Sequence, residues 1–235
     1  MAPTTPHQLP PDLKAPQVLD ALQARFGRLR RPRRDPLAVL VRGILSQNTS
    51  DVNSDRAFRR LTERFGGWPQ TAAAPAGAIQ DAVAVSGLAA QKAATIRRVL
   101  DGLAQRGSYS LDYLKDLPPE QAERSLRSIK GVGVKTARLV LLFGFGMPLF
   151  VVDTHVLRVA QRLRLVPERC TRQKAHVLLD TLVPDGRKYS AHMNMIRHGR
   201  EICHPRNPDC DSCPVRKWCV NVRTIGRRHE PVQEP

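Results

Sequence analysis

No stretch of this 235-residue chain approaches the roughly 18 consecutive apolar residues that a membrane-spanning helix needs, although apolar residues make up 41% of it. That excludes a helical membrane protein and leaves enough apolar material for one large domain or two small ones. The first residues, MAPTTPHQLPPDLK, carry no apolar segment of the signal-peptide kind, so a reducing cytoplasm is the expected compartment. The alternating pattern of half-buried strands is nearly missing, whereas apolar spacings of three and four recur, and the fold class expected is all-α. Acidic side chains are scarce, 21 against 38 Lys and Arg, a net charge of +17. Solubility needs a much smaller surplus. With no amphipathic membrane-binding pattern beside the charge, the expected partner is nucleic acid and not a membrane.

Cysteine is sparse too, and four of the five fall within 17 residues as Cys203-x6-Cys210-x2-Cys213-x5-Cys219. Thiolates this close in sequence converge on one inorganic centre with little loop-closure entropy to overcome. Four sulfurs suit a tetrahedral zinc or a [4Fe–4S] cluster. Structural zinc sites usually pair their cysteines two to four residues apart. Here only the middle gap is two, and the outer gaps of six and five favour the bulkier iron–sulfur centre. A disulfide framework does not suit a reducing compartment. Cys170 stands apart and reads as an ordinary thiol.

Residues 1–16 hold five prolines and read as a disordered tail. Residues 17–26 have apolar positions at 18, 19, 22 and 26, a short helix, followed by the basic linker Arg28-Leu-Arg30-Arg31-Pro-Arg33-Arg34. Helical spacing then dominates: Val52, Phe58, Leu61 and Phe65 behind an Asp51 cap, and Ala89, Ala93, Ile96, Leu100 and Leu103 as a cleaner stripe. Ala122, Leu126 and Ile129 mark another helix, and residues 135–143 are apolar almost all round, hence buried.

Helices over 122–130 and 135–146 are joined by Gly131-Val132-Gly133-Val134. Two glycines one apart admit left-handed or crowded backbone, and they bare the amides that open the second helix, an anion site suited to a phosphate. Glycines serve a tight helix–helix turn equally well. Lys135 follows at the start of the second helix. A free lysine titrates near about 10.4. The helix N-terminus, apolar neighbours and nearby basic groups all disfavour its ammonium and would make it a nucleophile. The chain then turns at Gly144, Gly146 and Pro148 and returns as extended Leu149–Val152, so Asp153 can land near Lys135. Asp153 also fits the N-cap of a helix from Thr154 to Leu163. A carboxylate held rigid by capping is well placed to stabilise a cation.

Hairpin, lysine, Val152-Asp-Thr-His155 and the four-cysteine loop together resemble the endonuclease III family of DNA base-excision glycosylases, over residues 17–222. The resemblance implies the helix-hairpin-helix DNA glycosylase fold. A six-helix barrel would span 36–148, with the helix-hairpin-helix at 122–146. Residues 17–35 and 149–222 would form an iron–sulfur cluster domain, and 223–235 a basic, flexible tail. It implies a [4Fe–4S] cluster on Cys203, Cys210, Cys213 and Cys219, and duplex DNA with damaged bases or abasic sites as partner, bound by a monomer in the nucleoid. A damaged pyrimidine would be flipped out of the stack. Lys135 would attack C1′ to leave a Schiff base, with Asp153 stabilising the developing charge. Wedge residues filling the gap are implied at Asn48, where relatives carry glutamine, and at Leu88, with Gln47 sharing the task. Against this, Asn48 could satisfy local backbone groups and Leu88 could pack in the core. Gly131, Val132, Gly133, His155, Arg200 and Arg206 are the expected backbone contacts.

The reading that follows is a bifunctional DNA glycosylase and abasic-site lyase of base excision repair, acting on oxidised pyrimidines. A glycosylase for alkylated bases or mismatched thymine is the alternative on the same fold. A non-catalytic DNA-binding module is the alternative from another class, and Lys135 with Asp153 argues against it because phosphate binding needs neither.

Overall fold

The computed structural model describes residues 5–222, which divide into two compact units, Pro32–Met147 and a second formed by residues 5–31 with 148–222. Among the described residues every regular element is helical, and no helix is long and apolar enough to cross a membrane. The tail expected at 223–235 lies outside the described residues.

In the unit Pro32–Met147, helix α2 (Pro36–Leu45) is apolar apart from Arg42 and therefore central. Leu37, Val39, Leu40, Val41, Ile44 and Leu45 are all buried. Helix α1 (Pro11–Phe26) belongs to the other unit. Removing each such Leu or Ile from water contributes about 1.5–3 kcal/mol. α2 packs against α3 (Asp51–Phe65), α6 (Ala89–Gln105), α8 (Val134–Leu139) and a π-helical turn, Val140–Phe145. Asp35 caps α2, its carboxylate accepting from the amides of Leu37 and Ala38, and Pro36 sits where its missing N–H is harmless.

The cap of α3 is Ser50, whose hydroxyl accepts from the Asn53 amide, and not Asp51. Val52 is 77% exposed and leaves the buried face to Ala57, Phe58 and Leu61. Six residues before Phe58 is about 120° round the helix. The second helix of the hairpin starts at Val134 and widens into the π turn at Val140, ending on left-handed Gly146. A Cβ on Gly144 would lie 2.9 Å from Pro36 Cβ, so glycine there is what lets this turn and α2 close together.

In the other unit, helix α1 (Pro11–Phe26) begins well before residue 17, and Pro6–Gln8 forms a 3-10 turn. Residues 5–16 are thus ordered, against the expectation of a disordered tail. The reason is Lys14, 1% exposed, whose Nζ donates to His7 O at 2.9 Å and to Leu163 O at 3.1 Å. Proline content registered; this tether did not. α1 packs on α10 (Arg172–Leu182) and α11 (Lys188–Glu201), and α11 on α9 (Thr154–Arg162). Val18, Leu22, Phe26, Phe150, Val156, Val159, Met195 and Trp218 form the core.

The extended run before Asp153 has no strand partner among the described residues. Side chains satisfy its backbone instead. Lys188 Nζ donates to Pro148 O at 2.7 Å, the Phe150 amide donates to the Asp180 carboxylate, and His176 and His192 give their Nδ1 protons to Phe150 O and Val151 O at 3.0 and 2.9 Å. Phe150, Val151 and Val152 are fully buried, so the segment delivers Asp153 to a fixed place.

Candidate functional site

The hairpin between α7 (Pro119–Arg127) and α8 is held from several sides within its own unit. Gly131 has φ +99, and a Cβ there would meet Thr95 Oγ1 at 2.3 Å, so only glycine fits. Gly133 has φ −90 with nothing within 4 Å of a Cβ, and has no such need. Val132 is 5% exposed, and its amide donates to Ile129 O, which leaves Gly131 and Gly133 as the exposed residues of the turn. Gln47 Nε2 donates to Gly131 O at 3.1 Å and lies 3.4 Å from Thr136 Oγ1. Gln47 therefore braces the hairpin from the loop that follows α2. Glu123 ties the two helices, accepting from Arg138 Nε at 2.8 Å and Arg127 Nη1 at 3.3 Å. Lys135, the second residue of α8, is half-buried, and its amine makes no hydrogen bond or ion pair among the described residues.

Asn48 and Leu88 share a signature that spacing could not reveal. Both have left-handed backbone, φ +51 and +49, which costs a non-glycine residue about 1–3 kcal/mol. Leu88 is 53% exposed and is not packed in the core. Leu88 thus holds a large apolar side chain outward on left-handed backbone.

In the second unit Asp153 is the N-cap of α9, Oδ1 accepting from the Val156 amide at 2.7 Å, and the residue is 7% exposed. The cap uses one oxygen, and no other hydrogen bond to this carboxylate is made among the described residues. His155 is half-buried, 3.1 Å from Arg158 Nη2, and packs where a Cβ on Gly199 would come within 2.9 Å of its own. Arg200 and Arg206 are exposed, on α11 and in the cysteine loop.

All five cysteines are free thiols. Among the described residues no group of three or more His, Cys, Asp or Glu side chains stands in metal-binding geometry. Cys203, Cys210, Cys213 and Cys219 nonetheless line one pocket, together with Val159, Leu163, Ile202 and Val215. Burial pushes the Cys213 thiol up to about 11 and raises Cys210 and Cys219, so this apolar pocket disfavours bare thiolates. Arg162 Nη1 donates to Cys203 Sγ at 3.1 Å, and His198 Nε2 lies 3.8 Å from Cys213 Sγ. Four half-buried cysteines around one space, with a guanidinium and an imidazole beside them, fit an iron–sulfur cluster, whose positive metal charge would offset the thiolates. Arg158 and Arg162, one turn apart on α9, also bind the carbonyls of Cys203 and His204. Their spacing was visible in sequence; their targets, more than 40 residues away, were not.

The model of the HhH-GPD superfamily of base excision DNA repair proteins matches residues 41–185. A putative DNA glycosylase of Arabidopsis thaliana is 39% identical over 165 residues, 70% of this chain and 56% of that protein, so the chain spans little more than half of that relative. Endonuclease III of Thermotoga maritima is 34% identical over 197 residues, 82% of this chain and 86% of the relative. Among solved structures, a trapped endonuclease III–DNA covalent intermediate matches with a TM-score of 0.79 at 26% identity, over 92% of this chain and 99% of that one.

Proposed function

The chain belongs to the endonuclease III family, within the HhH-GPD superfamily of base excision DNA repair proteins, and from that premise we propose a bifunctional DNA glycosylase and abasic-site lyase that removes oxidised pyrimidines from duplex DNA. The observation that carries this reading is the state of Lys135. The buried lysines 14 and 92 spend their ammonium on backbone carbonyls, and Lys188 on Pro148 O and the carboxylates of Asp180 and Asp185, whereas Lys135 is half-buried and makes no such bond among the described residues.

The lesion leaves the stack, and the lone pair of Lys135 Nζ attacks the sugar C1′. The N-glycosidic bond breaks, and the base departs with the bonding pair and takes up a proton. Asp153 accepts the proton that the lysine must lose and stabilises the oxocarbenium-like charge. The C1′–O4′ bond then breaks, O4′ taking up a proton, and the opened sugar is left as an iminium between C1′ and Nζ. This acidifies C2′, and loss of that proton expels the 3′-phosphate with the C3′–O bonding pair, nicking the strand 3′ to the lesion. Asn48 and Leu88 fill the gap in the duplex, and the exposed hairpin glycines, Arg200 and Arg206 face the phosphates. A [4Fe–4S] cluster bound by Cys203, Cys210, Cys213 and Cys219 would supply a cross-link that fixes the 203–219 loop.

Borohydride reduction during reaction with abasic duplex DNA tests the reading. Wild type should be trapped on the DNA and Lys135→Ala should not. A wild-type protein that binds this DNA without forming an adduct would leave only a binding module. A panel of duplexes with one lesion each then identifies the base removed.

A further inference from the structure

Lys92 has no place in the chemistry above, yet it is one of the most deeply buried side chains of the protein, 2% exposed. Among the described residues its ammonium pairs with no carboxylate. It donates instead to two backbone carbonyls, Leu45 O at 2.8 Å and Ser86 O at 2.7 Å. An ammonium buried without a counter-ion is costly, and desolvation lowers the Lys92 pKa accordingly. An apolar side chain of that length would fill the space without this cost. What it could not do is join the two carbonyls.

Those carbonyls belong to particular places. Leu45 is the last residue of α2, where the helix dipole favours a cation, and Asn48 follows three residues on. Ser86 immediately precedes Gly87 and Leu88, two successive left-handed residues at φ +69 and +49, and its own hydroxyl is tied to Val83 O at 2.7 Å. The Lys92 amide closes the start of α6 onto Leu88 O at 3.0 Å. One side chain thus fixes the roots of both loops whose tips carry strained, exposed residues. We propose that Lys92 is a positioning residue: it sets the spacing between Asn48 and Leu88 so that both enter the gap left by an extruded nucleotide. The proposal rests on the reading of Asn48 and Leu88 as wedges.

A structural lysine and a positioning lysine part on a substrate that has no gap. An abasic site in single-stranded DNA offers Lys135 the same C1′ with no opposite strand to wedge. Single-turnover strand cleavage is measured for wild type and Lys92→Met on an abasic duplex and on its single strand. The ratio of the two rates is the readout, because it is blind to the fraction of active protein. Displacing a loop by an ångström costs on the order of 100-fold in a positioned reaction. Lys92→Met should lose at least about 10-fold on the duplex while staying within about twofold of wild type on the single strand. Equal losses on both substrates, or none on the duplex, overturn the proposal. Should Lys92→Met fail to fold, Lys92→Arg, which keeps the charge and its donors on a bulkier head, is judged by the same ratio. A ratio below wild type supports positioning; a wild-type ratio makes the lysine purely structural and overturns it. Wild-type protein inactive on both substrates would instead sink the glycosylase–lyase reading.

Discussion

Gly131→Ala would place a Cβ 2.3 Å from Thr95 Oγ1 and 2.8 Å from its Cγ2, on backbone at φ +99. Thr95 cannot step aside easily. It is β-branched, and its hydroxyl donates to Gln91 O at 2.9 Å while lying 3.4 Å from Arg98 Nη1. Left-handed backbone costs an L side chain about 1–2 kcal/mol and overpacking about 1–3, so the substitution should cost about 2–5 kcal/mol. At roughly 2–4 °C per kcal/mol for a chain of this size, Tm should fall by about 10 °C. Gly133→Ala, two residues on, meets nothing within 4 Å and sits at φ −90. It should be neutral or gain about 0.4–1 kcal/mol from the reduced freedom of the unfolded chain. Thermal unfolding followed by circular dichroism compares the two. Adding Thr95→Ala to Gly131→Ala removes both clashing atoms and should recover the overpacking part, leaving the backbone part. Equal losses at 131 and 133, or a double variant no better than the sum of its singles, would refute the assignment of the clash.

Three further outcomes are expected. Asp153→Asn keeps a good N-cap, so Tm should hold while cleavage of abasic duplex falls by about 100-fold or more; a parallel fall of both would reduce Asp153 to a cap. Leu88→Gly relieves the left-handed backbone and should leave stability unchanged or up to about 1 kcal/mol higher. The same variant should lose most duplex activity, and retained activity would remove Leu88 from the wedge. Purified protein should be brown with broad visible absorbance. Cys210→Ala should lose that colour and expose the 203–219 loop to protease; a colourless, zinc-loaded wild type would overturn the iron–sulfur assignment.

Local pattern carried much of this protein. The helical spacing, the hairpin, Lys135 at the head of α8, the Asp153 cap and the crowding of four cysteines each depend on residues within a turn or two of one another, where sequence and geometry are nearly the same thing. So does the net charge, which needs no fold at all.

Tertiary structure decided what depends on partners distant in the chain. Two glycines that look equivalent separate because Gly131 alone meets Thr95 on another helix. A proline-rich N-terminus is ordered because Lys14 reaches a carbonyl 149 residues away, and Lys92 grips one 47 residues away. Left-handed backbone at Leu88 carries no compositional signal, since leucine, unlike glycine or asparagine, does not favour it; only closure of the helices around that loop imposes it. A lone pair or an ammonium finds its partner after the chain has packed, and burial then makes that choice binding by removing water as the alternative.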